Sequence, residues 1–175
     1  MTCVPESVAH LPQNPYPSSP ISAPELVTPV AGDVLHVVLR ELLQAAFRLT
    51  QFRPHQEEVC RATAAGEDVL VIMPTGAGKS LCYQLPGLAR RGTTLVVSPL
   101  IALMEDQVAK LKDLGLSAER IHSGRSREDS RATCRSYLDG KLDYLFIAPE
   151  RLAVPGFPEL LAKRKPVLVA VDEAH

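Results

Sequence analysis

The chain has 175 residues, 46% of them apolar, and a net charge of −1. That length supports one domain with a real core, and no run approaches the ~18 apolar residues of a membrane span. A strongly basic field is also excluded: the first 39 residues hold Glu6, Glu25 and Asp33 and no Lys or Arg, which leaves the remainder only slightly basic at +2. Nucleic-acid binding would therefore have to rest on local geometry. No early positive charge precedes an apolar block, so no secretory leader is expected. The expected location is the cytosol, or the nucleus in a eukaryote. Cys3, Cys60, Cys82 and Cys134 are too widely spaced for a paired-Cys zinc motif or a disulfide framework. They are expected to be reduced and mostly buried, with no zinc.

Residues 1–32 contain seven of the 15 prolines. Proline removes backbone donors and blocks helix and ladder alike, so this stretch is expected to be a disordered tail. A polyproline docking motif is the other reading. A single ordered domain is expected over 33–175. Asp33 suits an N-cap, and Leu35, Val38, Leu39, Leu42, Leu43, Ala46 and Phe47 repeat with helical spacing. A second helix is expected from Pro54 to Ala65, closed by Gly66. Short apolar runs then alternate with helical stretches. The runs are Val69–Met73, Thr94–Ser98, Ala118–His122, Tyr144–Ala148 and Val167–Asp172. Most are apolar throughout, as expected of strands covered on both faces. Leu100, Met104, Val108 and Leu111 mark one intervening helix, and Ser126 with Asp129 makes a capping box for another. Gly66, Gly92, Gly115 and Gly140 fall where helix C-caps are needed. The order predicts an α/β fold, with a parallel sheet flanked by helices.

Met73-Pro-Thr-Gly-Ala-Gly-Lys-Ser80 lies between a predicted strand and a predicted helix. Small residues let the backbone of Thr75, Gly76, Ala77 and Gly78 curl so that N–H groups face inward, and the following helix adds its positive end. Lys79 would reach the β- and γ-phosphates of ATP, and Ser80 would help hold Mg²⁺. Met73 stands where the general phosphate-loop pattern has its first glycine. Val167-Leu-Val-Ala-Val-Asp-Glu-Ala-His175 would deliver two acids at a strand's carboxyl end. Asp172 suits a water-mediated Mg²⁺ role and Glu173 suits polarising the attacking water. At Ser98-Pro99-Leu100 a strand gives way to a helix. The loop and helix N-terminus could grip a DNA phosphate without reading bases, or form a routine turn.

Taken together these motifs resemble the RecQ family of DNA helicases in superfamily 2, over Phe47–His175. Phe52-Arg-Pro-His-Gln-Glu57 resembles the family's motif before the phosphate loop, which implies nucleotide contacts from Arg53 and Gln56, the latter at the adenine. Met73–Pro86 resembles motif I, Ser98-Pro-Leu-Ile-Ala-Leu-Met-Glu-Asp-Gln107 motif Ia, and Asp172-Glu-Ala-His175 motif II. Ala148-Pro-Glu-Arg-Leu152 resembles a further DNA-side motif, implying a backbone contact from Arg151. Glu150–Arg151 could equally be a surface pair. The chain departs from the family pattern at Phe47-Arg48-Leu49 and at Ala77, which replaces a glycine and is tolerated if its φ is negative. The resemblance implies a partial RecA-like domain, ATP and Mg²⁺ as cofactors, and single-stranded or junction DNA as partner, with 3′-to-5′ polarity. It also implies a motif III strand between the strands of motifs I and II, and a second lobe with an arginine finger. Neither is in the chain as given. Exposed apolar strand edges, negligible unwinding and very slow hydrolysis are therefore expected of it alone. A nucleotide-dependent DNA-binding module without motor action and an RNA helicase fragment are the alternative readings.

Overall fold

The computed structural model describes residues 9–10, 32–74 and 76–174. Its strands are β1 (Ala9–His10), β2 (Val69–Leu70), β3 (Thr94–Val97), β4 (Ala118–Ile121), β5 (Tyr144–Ile147) and β6 (Leu168–Val171). The helices are α1 (Gly32–Ala45), α2 (Gln56–Ala65), α3 (Leu81–Ala89), α4 (Ile101–Asp113), α5 (Arg127–Leu138) and α6 (Phe157–Lys163), with a 3-10 turn at Pro149–Ala153.

Four strands form one parallel sheet in the order β4-β5-β3-β6. The register pairs Val97 with both Ile147 and Val171, and Ile121 with Ile147. All four strands therefore end at one level, and the next residues, Ser98, His122, Ala148 and Asp172, share one rim. β3 and β5 are buried at every position. Both their faces are covered, so both parities of side chain must be apolar. Val96, Phe146 and Tyr144 pack with Leu39, Leu43, Leu85, Met104 and Val108 from α1, α3 and α4. Leu95, Val97, Leu145 and Ile147 pack on the opposite face with Tyr137 of α5 and with Phe157 and Leu161 of α6.

Local signals in the chain set the element ends. Gly66 closes α2 in the left-handed region at φ 93°, where a β-carbon is costly. The Ser126 hydroxyl accepts from the Asp129 N–H at 3.0 Å and caps α5. Asp129 completes only half of the expected box: its carboxylate accepts from the Ser126 hydroxyl at 2.8 Å.

Three expectations need correction. The run Val69–Met73 has ladder bonds only at Val69–Leu70, and β2 stands outside the parallel sheet. Between β2 and β6 lies a cavity of about 630 Å³, lined by Val69–Met73 on one side and Leu168–Asp172 on the other. The helix assigned to begin after Asp33 begins at Gly32, which puts Asp33 in its first turn. The positive φ after α3 belongs to Arg91 at 53°, not to Gly92. Gly92 serves packing instead: a β-carbon there would lie 2.4 Å from Val167 Cγ1. Most of the expected tail lies outside the described residues, but Ala9–His10 pairs antiparallel with β2. Neither residue is proline, so both keep their N–H donors.

Candidate nucleotide-binding site

The loop between β2 and α3 is held from behind by the segment that begins α2. Arg53 Nη1 donates to the Gly76 carbonyl at 2.6 Å, and Gln56 Nε2 donates to the carbonyls of Gly78 at 3.0 Å and Ala77 at 3.4 Å. Gln56 is itself oriented, because its Oε1 accepts from the Arg53 N–H at 2.8 Å. Three successive carbonyls are thus tied to one side. The N–H groups of Gly78, Lys79 and Ser80 have no backbone acceptor among the described residues. Successive inward N–H groups in a curled loop make an anion-binding arrangement. Gly76 and Gly78 have φ of 82° and 88°, whereas Ala77 is not among the positive-φ residues. That explains how an alanine fits between two glycines. Gly78 is fixed twice over, since a β-carbon there would also lie 2.5 Å from Gln56 Nε2. Thr75 lies outside the described residues.

Lys79 closes the loop. Its ammonium donates to the Met73 carbonyl at 3.3 Å and lies 3.7 Å from Glu173 Oε1. The two acids arrive from the opposite side of the cavity, on the end of β6. Asp172 makes the last rung with β3, its N–H donating to the Val97 carbonyl at 2.9 Å. Its carboxylate accepts from the Glu173 N–H at 3.1 Å. Burial, and then the adjacent Glu173 charge, raise the Asp172 carboxyl above its ordinary value, against a lowering by that N–H bond and by Lys79. Glu173 sits at φ 53°. A non-glycine residue in that region is strained, and such strain gathers at functional sites.

These groups also suit a divalent cation. Asp172 and Glu173 supply hard oxygen donors of the kind Mg²⁺ takes, and the Ser80 hydroxyl is a further such oxygen on the loop. Two neighbouring carboxylates, one of them raised by burial, are an unfavourable pair that a cation would relieve.

Farther along the rim the expected DNA-side residues are unequal. Pro99 and Leu100 are exposed, but Ser98 is buried and its hydroxyl has no hydrogen-bond partner among the described residues. Leu100 is the N-cap of α4 and offers no side-chain cap, which leaves first-turn N–H groups for an outside acceptor. Arg151 lies in the 3-10 turn with its guanidinium 5.0 Å from the centre of the Phe157 ring. Cys60 and Cys82 are buried and Cys134 is half-buried, all three free. The sequence reading missed two side chains at the loop, Gln84 and Gln107. Gln107 closes the motif Ia string, but nothing in that string says which helix it faces.

Residues 53–175 match the DEAD/DEAH box helicase family. The chain is 42% identical over 134 residues to the ATP-dependent DNA helicase RecQ of Haemophilus influenzae, covering 77% of this chain and 22% of that protein. It is 44% identical over 135 residues to the RecQ helicase of Pasteurella multocida, covering 77% and 21%. With the ATP-dependent DNA helicase Q1 of Pongo abelii the identity is 40% over 169 residues, covering 93% and 25%. The chain thus spans a quarter or less of the length of these curated relatives.

Proposed function

The chain belongs to the DEAD/DEAH box helicase family, and on that premise we propose that it is the ATP-binding lobe of a RecQ-type ATP-dependent DNA helicase. The observation that carries this reading is the 3.7 Å approach of Lys79 to Glu173. It joins the phosphate loop to the acids of a separate strand across one cavity. In this reading the N–H groups of Gly78, Lys79 and Ser80 cradle the phosphates, and the Lys79 ammonium leaves Glu173 for the β- and γ-phosphates. Thr75, Gly76 and Ala77 complete the loop. Arg53 and Gln56 hold its rear and reach toward the base. Ser80 and Asp172 would hold Mg²⁺, which when bound neutralises phosphate charge. Glu173 then orients the attacking water.

DNA would cross the rim at Pro99, Leu100 and the open start of α4, with Ser98 beneath it and Arg151 as a further backbone contact. These groups grip phosphate and read no base, and the polarity implied by the family is 3′ to 5′. Hydrolysis by the chain alone should be slow, because an arginine finger from a second lobe typically contributes about 10³–10⁵ in rate.

Titrating the 175-residue chain with a fluorescent ATP analogue tests the reading. Lys79→Ala should weaken binding about tenfold or more, the scale of losing one charge-assisted phosphate contact. Equal affinity in the wild type and the variant would refute it.

A further inference from the structure

The Ser80 hydroxyl is gripped by a helix that does not belong to the phosphate loop. Gln107 Nε2, on α4, donates to Ser80 Oγ at 2.6 Å. Gln107 Oε1 accepts from Gln84 Nε2 of α3 at 2.8 Å. Gln84 is buried at 7% exposure, and its carbonyl accepts from the Tyr144 hydroxyl of β5 at 2.7 Å. Ser80 and Gln84 stand four residues apart, on one face of the helix that follows the loop. A single amide thus bridges α4 to both, and its far end is anchored to the buried strand.

This matters because a hydroxyl has one proton and two lone pairs. The Gln107 N–H occupies one lone pair and fixes the rotation of Cβ–Oγ. The second lone pair then has one direction in which to meet a cation. Gln107 cannot turn away without breaking its bond to Gln84. α4 is also the helix whose uncapped start faces the rim at Leu100. From Ile101 to Gln107 it spans about 9 Å at 1.5 Å per residue. A displacement at its start is therefore delivered, within one rigid element, to the oxygen of Ser80.

We propose that Gln107 is a positioning residue for the Ser80 hydroxyl, and that through it α4 couples an anion bound at the Leu100 end to the metal-dependent part of nucleotide affinity. The proposal rests on the reading of Ser80 as a ligand of the nucleotide's Mg²⁺. The coupling is reciprocal, so nucleotide with Mg²⁺ must shift affinity at the rim by the same factor.

The experiment is a nucleotide titration of the 175-residue chain with and without Mg²⁺, repeated with a short single-stranded oligodeoxynucleotide present. Gln107→Met keeps the size and removes both hydrogen bonds. It should lose about fivefold or more of the Mg²⁺-dependent gain in affinity, the lower end of usual coupling. The metal-free affinity should fall far less, and the effect of the oligonucleotide on nucleotide binding should vanish. Gln84→Met leaves Gln107 in place but unheld, and it should show the same selective loss even if Gln107→Met does not fold. A Mg²⁺ gain unchanged in both variants overturns the proposal. So does an equal loss with and without Mg²⁺, the signature of a merely structural contact. Failure of the underlying reading looks different: Lys79→Ala would bind as the wild type does, or the wild type would show no Mg²⁺ gain.

Discussion

Asp172 shows how the site is set against the stability of the chain that carries it. Burial and Glu173 raise its carboxyl above 3.8. The folded chain therefore keeps this proton at pH values where the unfolded chain has lost it. Stability from this group falls as pH rises from 3.8 through the raised value, and above that the charged form is a standing penalty. Asp172→Asn should accordingly raise the melting temperature at pH 7, while the gain shrinks to nothing below about pH 4. The same change should weaken Mg²⁺-dependent nucleotide binding, as is common when a strained site is relaxed. Melting curves at the two pH values check the sign; a melting temperature lowered at pH 7 would contradict it. Glu173, held at φ 53° beside Asp172, belongs to the same pattern. Gly78 shows the converse: its left-handed φ and the nearby Gln56 amide leave room for no side chain.

At the scale of elements, helix α3 is where the loop is attached to the sheet. It crosses β3 so closely that a β-carbon on Gly87 would lie 1.9 Å from Thr94 Oγ1. Gly87→Ala should cost about 1–3 kcal/mol of unfolding free energy, as overpacking does. Thr94→Ala in the same chain should recover at least half, because the worst clash is with that hydroxyl. Urea denaturation of the single and double variants measures this, and additive losses would exclude the contact. On the rim, Glu105 of α4 pairs with Arg120 and lies 3.1 Å from His122. Arg120 above all, with His122 adding to it against the opposing effect of burial, holds its carboxyl below the ordinary range.

Much of this was legible in the chain. The continuous apolar runs at Thr94 and Tyr144 gave buried parallel strands, Gly66 ended α2 and Ser126 began α5, because each of these signals acts within a few residues. The glycine-curled turn at Gly76–Gly78 and the acids after β6 were legible for the same reason, as was the approach of Lys79 to Glu173 once a parallel sheet was inferred. What depends on a distant neighbour was not. Val69–Met73 has strand-like residues throughout, yet a ladder needs a partner, and only Val69–Leu70 has one. Gly92 was assigned to a cap because glycine permits positive φ, whereas Val167 decided its use. Gln107 could be quoted as part of a motif, but its grip on Ser80 arises only when α4 lies against α3.

Across the whole molecule, the outstanding feature is the open slot between β2 and β6. Ile72 is 69% exposed on one side, and Val169 and Val171 are 54% and 63% exposed on the other. Val169 and Val171 pair with Leu95 and Val97, so they point to the face that α5 and α6 cover elsewhere. No described helix lies over them. An open apolar edge invites other chains, so the 175-residue chain should self-associate as its concentration rises. Replacing Val169 and Val171 with lysine should weaken that association about tenfold or more. Sedimentation velocity across a dilution series measures it; a wild type that sediments as a monomer throughout would count against the slot as the cause.

The slot also divides the chemistry. The loop residues proposed to grip phosphate ride on one bank and the two acids on the other, with no ladder rung between them among the described residues. Neighbouring strands are spaced by about 4.8 Å. A strand laid into the gap would act as a spacer of fixed thickness, calibrating how far apart the two banks stand. Closing the banks directly on each other would shorten that span by one such increment.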